Sequence, residues 1–232
     1  LRQRTGEHVT VTHLVGKAVS MALAQAPTLN GRVVMGRYIP FPTVDMAFLV
    51  ALENGQDLAK AKVCEVDHKG VADIARELRE RVGRLRDGKD SDFEKSKGAI
   101  KSMPMWALKR LVSLTGFLAG GLGLTIKALG VEPFPFGSCI VTSVGMFGLD
   151  EGYVLSTLFA RVSLYILVGA VRDQPRVENG QVVIRSQLTI TATVDHRFVD
   201  GAQLGVLAKV VRSYLEDPWQ LEPPENRPQK TS

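Results

Sequence analysis

A histidine flanked by charged residues stands where the most regular strand pattern of the chain ends. The segment reads Val194-Asp195-His196-Arg197-Phe198-Val199-Asp200-Gly201. Just before it, threonines alternate with apolar residues, which predicts a half-buried strand containing Leu188, Ile190, Ala192 and Val194. If that strand continues, His196 lies on its apolar side. Because an imidazole titrates near neutral pH, such a histidine could take a proton from a thiol or hydroxyl and return it.

Two other interpretations of this segment remain open on spacing alone. His196 could be a core histidine whose hydrogen bonds are satisfied. Asp200 could be the N-cap of the last helix, accepting hydrogen bonds from backbone amides. It could also do both jobs, capping the helix and fixing a basic side chain near a catalytic site.

The segment Asp195-His196-Arg197-x-x-Asp200-Gly201 resembles the DHRxxDG signature of the acyltransferase (E2) catalytic domain of 2-oxo acid dehydrogenase complexes. That domain is similar in fold to chloramphenicol acetyltransferase. Weaker similarities occur in the family's order along the chain, namely Lys17-Ala18, Ala22-Leu23, Pro27, Leu29-Asn30, the strand and turn from Cys139 to Gly148, and Leu215-Glu216-Asp217-Pro218.

The resemblance implies a role for three residues. His196 would be the general base that deprotonates the thiol of coenzyme A or of dihydrolipoamide. Thr142 would donate a hydrogen bond to the tetrahedral oxyanion, although by itself it is an ordinary strand threonine. Asp200 would maintain the geometry of the active site. The resemblance also implies a homotrimer whose active site lies between subunits, so that His196 and Thr142 would come from different chains.

The chain departs from the family pattern in several places. We expect residues 1–232 to form a single catalytic domain, without a lipoyl or subunit-binding domain in this chain. An apolar insertion at about 90–131 contains sixteen uncharged residues in succession, Leu111 to Ile126, four of them glycines. A polar, proline-containing tail covers 219–232, which favours an isolated trimer over a larger cage.

The order of predicted elements is helix, strands, helix, insertion, strands and helix. This order indicates an α/β fold, and the resemblance implies a chloramphenicol acetyltransferase-like mixed-sheet sandwich with covering helices. The predicted elements are helices at Val9–Ala26, His68–Arg86 and from Asp200, and strands at Arg32–Ile39, Val44–Leu52, Cys139–Ser143 and Val162–Arg172. Asn179-Gly180 predicts a tight hairpin turn.

Composition narrows the range of partners. The net charge of +5 favours anionic partners such as coenzyme A, but the basic cluster at 76–86 contains Glu77 and Glu80, so we expect no nucleic-acid binding. The two cysteines lie far apart, which excludes a cysteine metal framework and suits a reducing, cytoplasmic location. We expect His8, His13 and His68 to be surface or packing residues.

Two alternatives to an acyltransferase remain. The chain could be a non-catalytic trimeric scaffold or cage-forming protein with the E2 fold. It could also touch a membrane through Leu111–Ile126, although this run is shorter than the roughly 18 to 20 apolar residues of a spanning helix. We therefore expect the insertion to be a buried or partner-covered helix.

Overall fold

A mixed five-stranded sheet forms the centre of the protein. The computed structural model describes residues 2–52, 57–86, 103–157, 159–197, 199–223 and 227. The strand order is β4-β3-β5-β6-β7, in which β5 runs parallel to both of its neighbours and the outer pairs are antiparallel. The strands are β3 (Met46–Leu52), β4 (Asp57–Val63), β5 (Cys139–Ser143), β6 (Leu164–Glu178) and β7 (Gln181–Val194). The predicted α/β class with a mixed sheet is confirmed.

Helices cover one face of this sheet. Strand alternation turns Met46, Phe48 and Val141 toward them, and these three side chains are almost fully buried. The covering helices are α2 (Val11–Gln25), α3 (Val71–Arg86) and α5 (Gly201–Glu216); a short helix, α1 (Arg2–Thr5), precedes them. The apolar stripe predicted for α2 packs into this core as expected, with Val15, Ala18, Val19, Ala22 and Leu23 all buried.

The opposite face of the sheet has a smaller apolar cluster. Ala47, Ile140 and Tyr165 point to this side and pack against Ala160 and Val162 from the chain segment that precedes β6. The Tyr165 hydroxyl is hydrogen-bonded to Thr157, which holds that segment against the sheet. Extended chain rather than a helix therefore covers this second face.

The single strand predicted at Arg32–Ile39 is wrong. Residues here form a separate hairpin of β1 (Gly31–Val34) and β2 (Arg37–Pro40), with Gly31 opposite Pro40 and Val34 opposite Arg37. The chain reverses at Met35-Gly36, where both residues have positive φ, 50° and 77°. Glycine adopts this conformation without steric cost, so Gly36 was the turn signal that the apolar pattern concealed.

The predicted Asn179-Gly180 turn is confirmed. Both residues have positive φ, 51° and 78°, and they join β6 to β7. β5 pairs with β6 only between Leu164 and Val168, so the rest of this hairpin projects beyond the sheet as a two-stranded arm. The arm carries exposed apolar side chains, with Val177, Val182 and Ile184 between 69% and 75% exposed.

The described part of the insertion, 103–131, is largely helical, as predicted. It contains α4 (Met105–Thr115), which continues into a π-helical turn (Gly116–Gly121). All of α4 is described and none of its residues is fully buried, whereas Ala119, Gly120 and Gly121 of the π-helical turn are. The described residues contain no helix long and apolar enough to cross a membrane. Residues 90–102 lie outside the described residues.

The polar tail predicted at 219–232 begins later than expected. A 3₁₀ turn, Pro218–Leu221, follows α5, and both Leu221 and Glu222 are only 2% exposed. The Glu222 carboxylate accepts a hydrogen bond of 2.8 Å from the backbone amide of Val71 at the start of α3. A charged residue is therefore buried here because it satisfies an orphan amide at a helix N-terminus. Residues 224–226 and 228–232 lie outside the described residues.

The start of α2 makes stability depend on pH. His13 Nδ1 accepts a 3.0 Å hydrogen bond from the Thr10 amide, and burial lowers the pKa of His13 from 6.5 to about 4. Between these values the unfolded chain binds the additional proton, so stability rises with pH across that window. We expect a loss of up to about 3 kcal/mol between pH 6.5 and 4.

Urea unfolding of the wild type and of His13→Gln across this pH range checks the prediction. Glutamine retains an acceptor for the Thr10 amide but does not titrate, so the difference between the two proteins should shrink as the pH falls. Equal pH slopes for both would contradict the assignment.

Candidate active site

The histidine of the motif lies in a turn between β7 and α5. β7 ends at Val194, and the Asp195 amide donates a 2.8 Å hydrogen bond to the Ser163 carbonyl. The Val199 amide then donates to the Asp195 carbonyl at 3.3 Å. The turn is therefore tied both to the strand that enters it and to the segment ahead of β6.

His196 is exposed at this turn. The expectation that the strand would carry it onto the apolar side is wrong, because β7 ends two residues earlier and the chain turns away from the sheet. The alternation itself is confirmed: Leu188, Ile190, Ala192 and Val194 pack against the helix-covered core. Within one chain His196 is accordingly not a buried core histidine, and its ring faces solvent.

The two residues that flank the histidine in the sequence form an ion pair with each other. Arg197 Nε lies 2.8 and 3.0 Å from the two carboxylate oxygens of Asp195, and its Nη2 also contacts that carboxylate. The Arg197 amide donates to the same group at 3.1 Å. These hydrogen bonds lower the pKa of Asp195 and raise that of Arg197, so both stay charged. Sequence reasoning missed this clamp, whose signal was opposite charges two residues apart at a strand end.

Asp200 is the N-cap of α5. Capping this helix was one of the two roles predicted for Asp200. Its carboxylate accepts a 2.8 Å hydrogen bond from the Gln203 amide, while the Gln203 side chain accepts one of 3.1 Å from the Asp200 amide. This reciprocal capping box satisfies donors that the first helical turn leaves free. Among the ion pairs of the described residues none involves Asp200, so the structure does not show it fixing a basic side chain.

Thr142 lies on β5 beside a cleft of about 790 Å³. The cleft opens because β5 stops at Ser143 while β3 and β6 continue past it on either side. His13 and Thr10 also line this cleft, as do Arg2 and Arg79. His13 thus borders the cleft of Thr142 as well as capping α2.

The structure does not bring Thr142 and His196 together within one chain. In the sheet register Thr142 is level with Leu167 and Thr191, whereas Val194 is level with Leu164 and Cys139 at the other end of β5. Three residues of strand span roughly 10 Å, and His196 lies two residues farther on. Thr142 therefore borders its cleft at one end of β5, while the His196 turn lies beyond the other end.

Comparisons with known proteins agree with this architecture. The sequence model of the family 2-oxoacid dehydrogenases acyltransferase (catalytic domain) matches residues 1–105 and 126–222. The dihydrolipoyllysine-residue acetyltransferase component of the acetoin cleaving system of Bacillus subtilis is 25% identical over 220 residues, which is 94% of this chain. The match covers 44% of that relative, so the chain spans less than half of its length.

Two solved structures share the fold. The cubic core of the pyruvate dehydrogenase multienzyme complex has a TM-score of 0.65 and 19% identity, covering 94% of this chain and 73% of the other. The dihydrolipoamide acetyltransferase of Azotobacter vinelandii, studied for the roles of a serine, a histidine and an asparagine in its catalytic mechanism, has a TM-score of 0.65 and 18% identity over the same shares. The family match spans most of the chain, and the chain belongs to the catalytic-domain family of the 2-oxoacid dehydrogenase acyltransferases.

Proposed function

We propose that this chain transfers an acyl group between coenzyme A and dihydrolipoamide or a similar thiol, with His196 as the general base. The observation that carries the proposal is the clamped turn from Asp195 to Arg197, which presents an exposed histidine within the family's signature. The Asp195 carboxylate is neutralised by Arg197, so His196 is the group of this turn suited to moving a proton near neutral pH.

The chemistry needs only a base and a donor to the oxyanion. His196 takes the proton of the incoming thiol, and the resulting thiolate attacks the carbonyl carbon of the thioester. The carbonyl oxygen becomes an oxyanion, to which the Thr142 hydroxyl donates a hydrogen bond. The tetrahedral intermediate collapses, the carbon–sulfur bond to the departing thiol breaks, and the imidazolium returns its proton to that sulfur. One thioester replaces another, so the reaction is nearly isoenergetic.

The spacing in a structural relative supports these roles. The histidine and asparagine of the Azotobacter vinelandii enzyme are four residues apart, as His196 and Asp200 are here. Its serine precedes its histidine by about fifty residues, which is close to the separation of Thr142 from His196, and both residues carry a hydroxyl. In place of the asparagine, Asp200 has a carboxylate that can also cap a helix.

The separation of the two residues supports a homotrimer whose site forms between subunits. A second copy would bring its Thr142 to the His196 turn of the first. The projecting arm of β6 and β7 supports such an assembly, because its exposed valine and isoleucine side chains would be buried against another subunit. Association of such trimers into a larger particle is compatible with the fold shared with a cubic core.

We expect His196→Ala to lower the rate of coenzyme A release from acetyl-CoA and dihydrolipoamide by at least about 10²-fold. Thr142→Val, which removes the hydroxyl but keeps the shape, should lower kcat by about 10²- to 10³-fold. Thr142→Ser retains the hydroxyl and serves as the matched control. A wild-type protein that assembles fully yet transfers no short or branched acyl group would instead support the non-catalytic scaffold.

Mixing the two inactive variants tests whether two chains build each site. If His196→Ala and Thr142→Val subunits assemble at random in equal amounts, a site needs its histidine from a Thr142→Val chain and its threonine from a His196→Ala chain. About one quarter of the sites then carry both groups, and activity should return to about a quarter of the wild-type value. Activity that stays at the level of the separate variants would show that each site lies within one chain.

Asp200 is proposed as a positioning residue that acts through the cap of α5. Asp200→Asn keeps a good N-cap and should preserve both the melting temperature and most of the activity. Asp200→Ala removes the cap and should cost about 1 kcal/mol of stability, with a lower kcat. Thermal unfolding and initial rates of both variants check this. An asparagine variant that is stable but inactive would mean that the negative charge itself is required.

A further inference from the structure

A second cavity, which we name the insertion cavity, lies next to the His196 turn. Its volume is about 800 Å³, and α4 of the insertion forms one wall. The facing wall consists of the segment from Phe159 to Ser163 together with Asp195 and Arg197. The Ser163 carbonyl accepts the hydrogen bond from the Asp195 amide, so this wall is physically joined to the turn that holds His196.

The α4 wall is an addition to the family's common domain. The family's sequence model leaves residues 106–125 unmatched, and these include nearly all of α4. A cavity that needs this helix is therefore a feature of this chain rather than of the shared catalytic scaffold.

Cationic side chains predominate around the cavity. Among its described lining residues, Arg32, Lys109, Arg161 and Arg197 are basic and Asp195 is the one carboxylate. Arg197 already neutralises Asp195, and Arg32 is occupied by the Gly121 carbonyl at 2.8 Å and by the ring of Phe134. Lys109 and Arg161 remain as positive charges without an ion pair to another described residue, and the Arg161 guanidinium lies 5.8 Å from the centre of the Phe117 ring. The cavity therefore favours an anion.

Two buried polar atoms in this wall lack a partner in the described part of the chain. Ser163 is 2% exposed, and its hydroxyl makes no hydrogen bond. The Nε of Arg161 is likewise buried and without an acceptor. A buried polar group left unpaired costs stability, so a ligand oxygen that reached these two donors would remove a cost that the free protein carries.

The remaining lining residues are mainly apolar, and Ser113, Ser156 and Thr157 add hydroxyl groups. Leu108 and Val112 of α4 face Phe159 and Val162 across the cavity. This combination of an apolar slot and a pair of donors beside a positive charge matches a hydrocarbon chain that ends in a carboxylate. Multiply charged phosphates fit less well, because burying their charges beside so many hydrocarbon side chains is costly.

We propose that the insertion cavity binds the acyl chain of the thioester and that Arg161 and Ser163 bind a carboxylate at the far end of that chain. The inference rests on the proposed function only in identifying the ligand as an acyl group. The reacting carbonyl then lies at His196, while the chain extends under α4. Lys109, on the α4 wall, adds long-range attraction.

Direct binding tests the cavity separately from catalysis. Calorimetry would compare octanoate with 1-octanol, which has the same chain length without the charge, on the wild type and on His196→Ala. We expect octanoate to bind both proteins, and Arg161→Met and Ser163→Ala to weaken octanoate at least tenfold while leaving octanol within about twofold. Lys109→Gln should weaken octanoate binding by a smaller factor. Lys127→Gln removes the same charge from the same segment but outside the cavity, and it is the matched control.

Ser163→Ala distinguishes a direct role of the hydroxyl in octanoate binding from a role in stabilising the fold. Because the hydroxyl has no partner among the described residues, its removal should leave the melting temperature unchanged or raise it while octanoate affinity falls. In transfer assays the same variant should lower kcat/KM for suberyl-CoA at least tenfold and leave octanoyl-CoA unaffected.

The outcomes separate the two proposals. Carboxylate-dependent binding without transfer of any acyl group would support the cavity proposal and contradict the proposed acyltransferase function. Three outcomes would overturn the cavity proposal. They are an equal loss of transfer for both thioesters, an equal weakening of octanoate and octanol binding in the variants, and no binding of octanoate at all.

Discussion

The parallel pairing of β5 with both β3 and β6 is the constraint on which the candidate site depends. β5 has only five residues, yet it is the central strand, and its neighbours are longer. Its C-terminal end leaves the cleft in which Thr142 lies, and the register of β6 and β7 sets the His196 turn beyond its other end. A change in register by one residue would turn Thr142 to the other face of the sheet. The distance between His196 and the Thr142 hydroxyl is therefore a property of strand pairing.

Local hydrogen bonds then hold the chemical groups on this frame. Arg197 and Asp195 close the turn around His196, and Asp200 starts α5 four residues after the histidine. α5 in turn packs through Leu207 and Val211 against the core that the sheet shares with α2 and α3. The position of an exposed histidine thus depends on buried contacts made by its neighbours on both sides.

Close backbone packing explains the glycines of the insertion. A Cβ added at Gly116 would lie 2.5 Å from the carbonyl oxygen of Phe159, and one at Gly120 would lie 3.1 Å from the Arg161 side chain. The π-helical turn can therefore rest directly on the segment from Phe159 to Arg161 only because these positions lack side chains. The same contact places α4 across from the His196 turn, where its Leu108 and Val112 line the insertion cavity.

The sequence by itself determined the mixed α/β class, the buried stripe of α2, the Asn179-Gly180 turn and the strand at Cys139–Ser143, and it offered the N-cap at Asp200 as one of two open interpretations. Each of these depends on side-chain periodicity or on the conformational preference of one or two residues, which are local properties. The burial of Glu222 and the exposure of His196 were decided only by tertiary structure. They depend on contacts between residues far apart in the chain, such as Glu222 with Val71. The separation of Thr142 from His196 belongs to the same group. Strand register, and not spacing along the chain, places Thr142 at one end of β5 and His196 beyond the other.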